Sequence, residues 1–271
     1  MSIRLAAVQM ISVPEVAPNL ATVARLIAAA ADQGAQLVAL PEYFPIIGPS
    51  DATRLLAREA DGRGPLQDFL AAAAQRHGIW LVGGSIPLTA AHPDKLLNSC
   101  LVFDPMGQRV ARYDKIHLFG FSKGAETYDE AQTIEAGPAI PVTFDMTIDG
   151  ETICIGLGIC YDLRFPELFR AMAPVDLIVL PAAFTDTTGQ AHWEILLRTR
   201  AIENQCYVLA SAQGGQHPTG RITHGNSMII DPWGEIIARI DKGEGIVQAT
   251  LDLARIAEIR SSLPALQHRR L

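Results

Sequence analysis

Cysteine, charge and long apolar runs are all scarce in this chain. Only four of 271 residues are cysteine (Cys100, Cys154, Cys160 and Cys206), and they are scattered. No CxxC pair and no His/Cys cluster at zinc spacing occurs, which excludes a disulfide-stapled scaffold or a zinc module and predicts reduced thiols with no metal or other cofactor. Charged residues make up 19%, with 22 Lys and Arg against 29 Asp and Glu, a net charge of −7. An acidic surface argues against nucleic acid or an anionic membrane as partner. The basic run His268-Arg269-Arg270 is too short to reverse that. No apolar run approaches a membrane span, and residues 2–10 lack the apolar core and cleavage site of a signal peptide. The expectation is a cytoplasmic protein.

What the chain does have is apolar content, 49% of residues, enough for a sizeable core. The periodicity predicts a strand over 3–9, a helix over 19–33, a strand over 37–40, a helix over 65–77 and a strand over 79–83. Strands over 97–103 and 109–116 follow, joined by the turn Asp104-Pro105-Met106-Gly107. Residues 119–138 are polar and Gly-rich without a clean period, and read as a long functional or mobile loop. A hairpin turning at Asp149-Gly150 leads into a strand over 153–159. A helix from about Pro166, a strand over 177–180, a helix over 190–205 and a strand over 207–211 come next. A polar loop over 213–225 precedes two strands around Asp231-Pro232-Trp233-Gly234, and a strand over 245–251 and a helix over 252–262 end the pattern.

The second half repeats the first. The stretch Leu37 to Phe44 lines up with Leu177 to Phe184, and Leu101 to Lys115 lines up with Met228 to Lys242, including the Asp-Pro-x-Gly turn, Ala-Arg and Asp-Lys. One such match could be chance; two in the same order indicate internal pseudo-symmetry. Strands alternating with helices predict sheets covered by helices, and the added hairpins allow two sheets to stack. No linker separates the halves, so one domain over 1–271 is expected.

In open α/β sheets ligands bind beyond the carboxyl ends of the strands. Three ionisable residues sit at such ends: Glu42, Lys115 and Cys160. Glu42 is the more telling because its repeat counterpart is Ala182. Cys160 lies on a corner between an apolar strand and a helix start, where a helix N-terminus would favour the thiolate; an inert buried thiol is the alternative. Together the three make chemical sense. A carboxylate can take a thiol proton and later activate water, and an ammonium can stabilise the oxyanion of a tetrahedral intermediate. The N–H of Tyr161 is a second candidate oxyanion donor.

Leu40-Pro41-Glu42, Tyr113-Asp114-Lys115-Ile116-His117-Leu118 and Gly158-Ile159-Cys160-Tyr161-Asp162-Leu163-Arg164-Phe165-Pro166-Glu167 resemble the three motifs of the nitrilase (carbon–nitrogen hydrolase) superfamily, in order and across essentially the whole chain. The resemblance implies an α/β fold, a four-layer αββα sandwich with an internal pseudo-two-fold repeat. It also implies a Glu-Lys-Cys triad at Glu42, Lys115 and Cys160, a cysteine thioester intermediate, a small-molecule amide substrate, and a homodimer or higher homo-oligomer. The family's second glutamate, which supports the lysine, is best matched by Glu130; Glu126 and Glu135 fit less well.

Ala191-His192-Trp193-Glu194, His224-Gly225-Asn226-Ser227, Asp231-Pro232-Trp233-Gly234 and the segment Leu263 to Arg270 resemble the amidases of deaminated glutathione, whose near relatives are ω-amidases acting on α-ketoglutaramate. Both subgroups imply an α-keto carboxylate on the substrate, for which Arg164 and Thr185 are the candidate contacts. A structural pairing of Arg164 with an acid such as Glu167 is the alternative. Nitrile or N-carbamoyl hydrolysis with the same triad, and a non-catalytic scaffold of the same fold, are the rival readings.

Overall fold

Short apolar strands with little charge are suited to burial on both faces. In the computed structural model, which describes residues 2–50, 52–124 and 126–270, they form two sheets. The first runs Gly245–Asp252, Ser2–Gln9, Leu37–Ala39, Trp80–Val82, Leu96–Phe103, Ile86–Thr89, with Arg109–Asp114 also paired to Leu96–Phe103. The second runs Ile236–Arg239, Met228–Ile230, Tyr207–Ala212, Leu177–Ala182, Glu151–Leu157, Thr143–Ile148. Each sheet has three central parallel strands followed by an antiparallel hairpin. The hairpins that turn at the two Asp-Pro-x-Gly segments occupy equivalent places, so the repeat seen in the letters is a repeat in topology.

Period-two alternation sorts the side chains. Ile3, Leu5 and Ala7 share a core with Ile153, Ile155 and Leu157 of the other sheet. Their neighbours Ala6 and Val8 instead pack on Val23, Leu26 and Ile27 of the helix Val16–Asp32 and Leu66 and Leu70 of the helix Pro65–His77. On the second sheet, Gly156 and Gly158 point away from Ile155 and Leu157. A Cβ at Gly156 would stand 2.8 Å from the Met172 sulfur, and one at Gly158 would stand 3.2 Å from the Phe169 ring. Those glycines let the helix Pro166–Met172 lie close on the strand that delivers Cys160. With the helix Asp186–Asn204 beside it, the layers are α, β, β, α. Gln9 ties the halves together at one end, donating to the carbonyls of Asp241 and Gly243 and accepting from the N–H and hydroxyl of Ser227.

Several elements differ from the periodicity reading. The helix Val16–Asp32 starts three residues earlier, its entry fixed by Asn19, which bonds back to both backbone groups of Val13. The helix Asp186–Asn204 starts four residues earlier because Thr185 caps it, accepting the Thr188 N–H. The strand Ile86–Thr89 was hidden by Pro87, which an edge position tolerates. The loop expected over 119–138 contains a ribbon, Gly120–Lys123 paired with Glu126–Asp129, and the single 3₁₀ turn Glu130–Gln132. Its sequence lacks apolar alternation because the ribbon stands off the core. Among the described residues no helix is long and apolar enough to cross a membrane, and the four cysteines are free.

Candidate active site

Three strand ends converge. Leu37–Ala39 leads to Glu42, followed by Tyr43 at φ +55°. Arg109–Asp114 leads to Lys115, whose N–H donates to the Asn98 carbonyl. Glu151–Leu157 leads through Gly158 and Ile159 to Cys160 at φ +49°, which opens the 3₁₀ turn Cys160–Arg164. A left-handed conformation costs an L-residue about 1 kcal/mol or more, so neighbouring contacts must hold the corner.

Asp162 supplies those contacts. Fully buried, it accepts the Ile159 N–H at 2.8 Å and the Tyr113 hydroxyl at 2.7 Å on Oδ2. On Oδ1 it takes the His117 N–H at 3.1 Å and His117 Nδ1 at 2.7 Å. Tyr113 and His117 flank Lys115 in sequence, so one carboxylate links the cysteine corner to both sides of the lysine. The His117 ring also stacks on Phe165, centroids 3.7 Å apart. From the other half of the chain, Gln213 donates to the Glu42 carbonyl at 3.1 Å.

Lys115 is completely enclosed and Glu42 is 1% exposed. Lys115 Nζ lies 2.8 Å from Glu42 Oε1 and 3.0 and 2.8 Å from the two oxygens of Glu130. Asn98 Nδ2 also donates to Glu42 Oε1, at 2.9 Å. Glu130 further accepts the Phe119 N–H at 2.7 Å and the Tyr43 hydroxyl at 2.5 Å. Burial works against the charge on Lys115, but Glu130 and Glu42 more than offset it and hold the ammonium well above the ordinary lysine value. Burial likewise opposes the charge on Glu130, which Lys115 and the Phe119 N–H outweigh, so its carboxyl titrates below the usual glutamate value. Unpaired, any of these charges would cost several kcal/mol to bury.

The Cys160 thiol is pushed well above its ordinary value, first by burial and then by the Glu42 charge; Lys115 and a backbone hydrogen bond from Ala183 pull it down less. This corrects the expectation that a helix N-terminus favours the thiolate. The helix Pro166–Met172 begins six residues further on, and the resting sulfur is a neutral thiol that needs a base at the moment of attack. Accordingly, alkylation of Cys160 by iodoacetamide at pH 7 should run slower than that of a free cysteine and should still be rising at pH 9. A rate plateau below pH 8 contradicts the assigned environment.

A cleft opens over these groups. Of the seven residues singled out in the sequence, Glu42, Glu130, Cys160, Tyr161, Arg164 and Thr185 line it. Lys115 lies behind, bonded to two of them. Arg164 is not paired with Glu167, nor with any other carboxylate among the described residues. Its guanidinium lies 5.4 Å from the Phe184 ring centroid and 5.7 Å from that of Tyr161, with His192 Nδ1 at 3.2 Å. Thr185 is buried, its hydroxyl engaged with Thr188 at 2.8 Å. Glu126 and Glu135 lie elsewhere, accepting from Thr187 and from the His92 N–H. Trp193 packs in the core and donates to the Asn226 carbonyl. Residues 119 and 221 also line the cleft, as Phe119 and Arg221. The sequence pointed to their loops, 119–138 and 213–225, as sources of pocket walls without singling out either residue, and it gave no role to Asn98 or to the linking carboxylate of Asp162. A polar Asn98 within the apolar run 96–103 was the one available signal. Among the described residues no group of three or more His, Cys, Asp and Glu is placed to hold a metal ion.

A thiol at a strand corner beside a buried Glu–Lys–Glu cluster, all set in an αββα sandwich, marks the class of carbon–nitrogen hydrolases. The chain belongs to that family: the carbon-nitrogen hydrolase pattern matches residues 4–261. It is similar to the deaminated glutathione amidase of Synechocystis sp., 41% identical over 268 residues that cover 97% of each chain. It is also similar to human omega-amidase NIT2, 38% identical over 99% of this chain and 95% of that one. Among solved structures it resembles Saccharomyces cerevisiae Nit3, a member of branch 10 of the nitrilase superfamily, with a TM-score of 0.87 and 32% identity over 100% of this chain and 97% of that one.

Proposed function

We propose that this chain, acting as one domain over 1–271, is an amidase that hydrolyses a small α-keto acid amide through a thioester on Cys160, with deaminated glutathione as its substrate. The observation that carries the reading is the contact of Lys115 with Glu42 and Glu130 at 2.8 Å each, directly behind the cleft that both glutamates and Cys160 line. Glu42 accepts the thiol proton as sulfur attacks the amide carbonyl. The Lys115 ammonium and the Tyr161 N–H take the negative charge that develops on oxygen. Glu42 then gives its proton to the departing amine, and the C–N bond breaks. In the second half Glu42 takes a proton from water, the hydroxyl adds to the thioester, and the acid leaves as the proton returns to sulfur. Glu130 fixes the ammonium throughout. The reaction as written needs only these groups and one water.

Arg164, without an acid of its own, receives the α-keto carboxylate, and Thr185 borders the same space. Arg164→Gln should raise KM for a carboxylate-bearing amide roughly 10- to 100-fold, with far less change for an uncharged amide of equal length. Equal losses on both substrates count against a carboxylate contact. The cytoplasm as location and a homodimer or higher homo-oligomer as assembly complete the reading.

The likeness to an omega-amidase supports a second substrate, α-ketoglutaramate. Comparing kcat/KM for release of the shared α-keto dicarboxylate from the two amides tests the choice. A preference for deaminated glutathione is expected, and the reverse order would assign the chain to the ω-amidase reaction. Turnover of nitriles or N-carbamoyl amino acids, but of neither amide, would overturn the amidase reading.

A further inference from the structure

Several partly or fully buried arginines elsewhere pair with acids: Arg112 meets Asp114, Arg200 meets Glu203, Arg255 meets Asp231 and Arg260 meets Asp176. Two cleft-lining arginines, Arg164 and Arg221, have none among the described residues. Arg221 is half-buried; its guanidinium lies 5.5 Å from the Tyr128 ring centroid and Nη2 makes a long 3.4 Å contact to the Ala183 carbonyl. Its Nε is shut off from solvent and has no hydrogen-bond partner. An unsatisfied buried N–H of a charged group is costly, and an anion held on the outer Nη edge of the guanidinium would offset that cost electrostatically.

The side chain is also held in place. Its loop is anchored by His217, which bonds the Ser12 carbonyl at 2.8 Å and the Thr223 hydroxyl at 2.9 Å, and by backbone pairing of Thr223 with Gly215. Both cleft glutamates bond Lys115 and neither meets Arg164 or Arg221, so an incoming anion finds two guanidiniums without a direct ion pair among the described residues.

Resting on the amidase reading above, we propose that Arg221 binds a second substrate carboxylate, on the departing amine side of the scissile bond. The preferred substrate class is then an amide with a carboxylate at each end, one for Arg164 and one for Arg221. Deaminated glutathione has that pattern, and a primary ω-amide, which releases ammonia, does not.

The test uses binding, so that it does not depend on turnover. Titrate the Cys160→Ala protein, with and without Arg221→Gln, with N-glutarylglycine (a carboxylate at each end) and with glutaramate (one carboxylate). The expected result is that Arg221→Gln weakens N-glutarylglycine roughly 30-fold, leaves glutaramate within about twofold, and that Arg221→Lys recovers part of the loss. Equal weakening of both ligands, no weakening of either, or no binding of N-glutarylglycine to the Cys160→Ala parent overturns the proposal. Failure of the unmodified enzyme to hydrolyse deaminated glutathione or α-ketoglutaramate would instead overturn the amidase reading.

Discussion

Cys160→Ala is expected to leave a folded protein with no measurable amide turnover. Its backbone conformation at φ +49° and the Asp162 contacts that hold it do not involve sulfur, so thermal stability should change little. What disappears is the atom that forms the acyl bond. Without it the remaining groups can polarise a carbonyl but offer no covalent route, and attack by water alone on an amide is many orders of magnitude slower. Circular dichroism checks the fold and a coupled assay for the α-keto acid checks the rate. Full turnover in this variant would exclude the thioester mechanism outright.

The second large effect belongs to Glu42→Gln. The side chain keeps its shape and an oxygen for Lys115 and Asn98, but it can no longer take the thiol proton or activate water. Loss of a general base costs about 10²–10⁴-fold in rate, and here both halves of the reaction use it. A merely structural role for Glu42 predicts a different pattern. Because the Glu42 charge is one cause of the raised Cys160 value, its removal should lower the thiol toward its ordinary range and speed alkylation near pH 8. Turnover and alkylation therefore move in opposite directions. A variant in which both fall together would mean that the site has collapsed.

Much of this arrangement was legible in the letters because strands ending in Pro41-Glu42, Asp114-Lys115 and Ile159-Cys160 carry their ionisable residues at predictable ends. The repeat of 101–115 in 228–242 showed the symmetry because a hairpin turn needs particular residues at fixed places. Side chains whose meaning depends on tertiary approach were not legible. Asp162 sits in a quoted motif, yet only the folded chain shows it reaching Tyr113 and His117 across 49 and 45 residues. Arg221 lies in a polar loop with no periodicity, and its importance rests on what is missing around it. The thiol environment was misread because the turn Cys160–Arg164 intervenes before the helix, and a one-dimensional pattern does not show how much charge and burial surround the sulfur.

The central claim is a thioester on Cys160, and an activated ester tests it most directly. The p-nitrophenyl ester of the acyl half needs no proton on its leaving group, so it can acylate the more acidic thiol of the Glu42→Gln variant, while the missing base leaves the adduct in place. Intact-protein mass spectrometry after brief exposure should show one added acyl group, mapped by proteolysis to Cys160 and absent from the Glu42→Gln/Cys160→Ala protein. An unmodified Cys160, or the same adduct surviving in the double variant, would contradict the account.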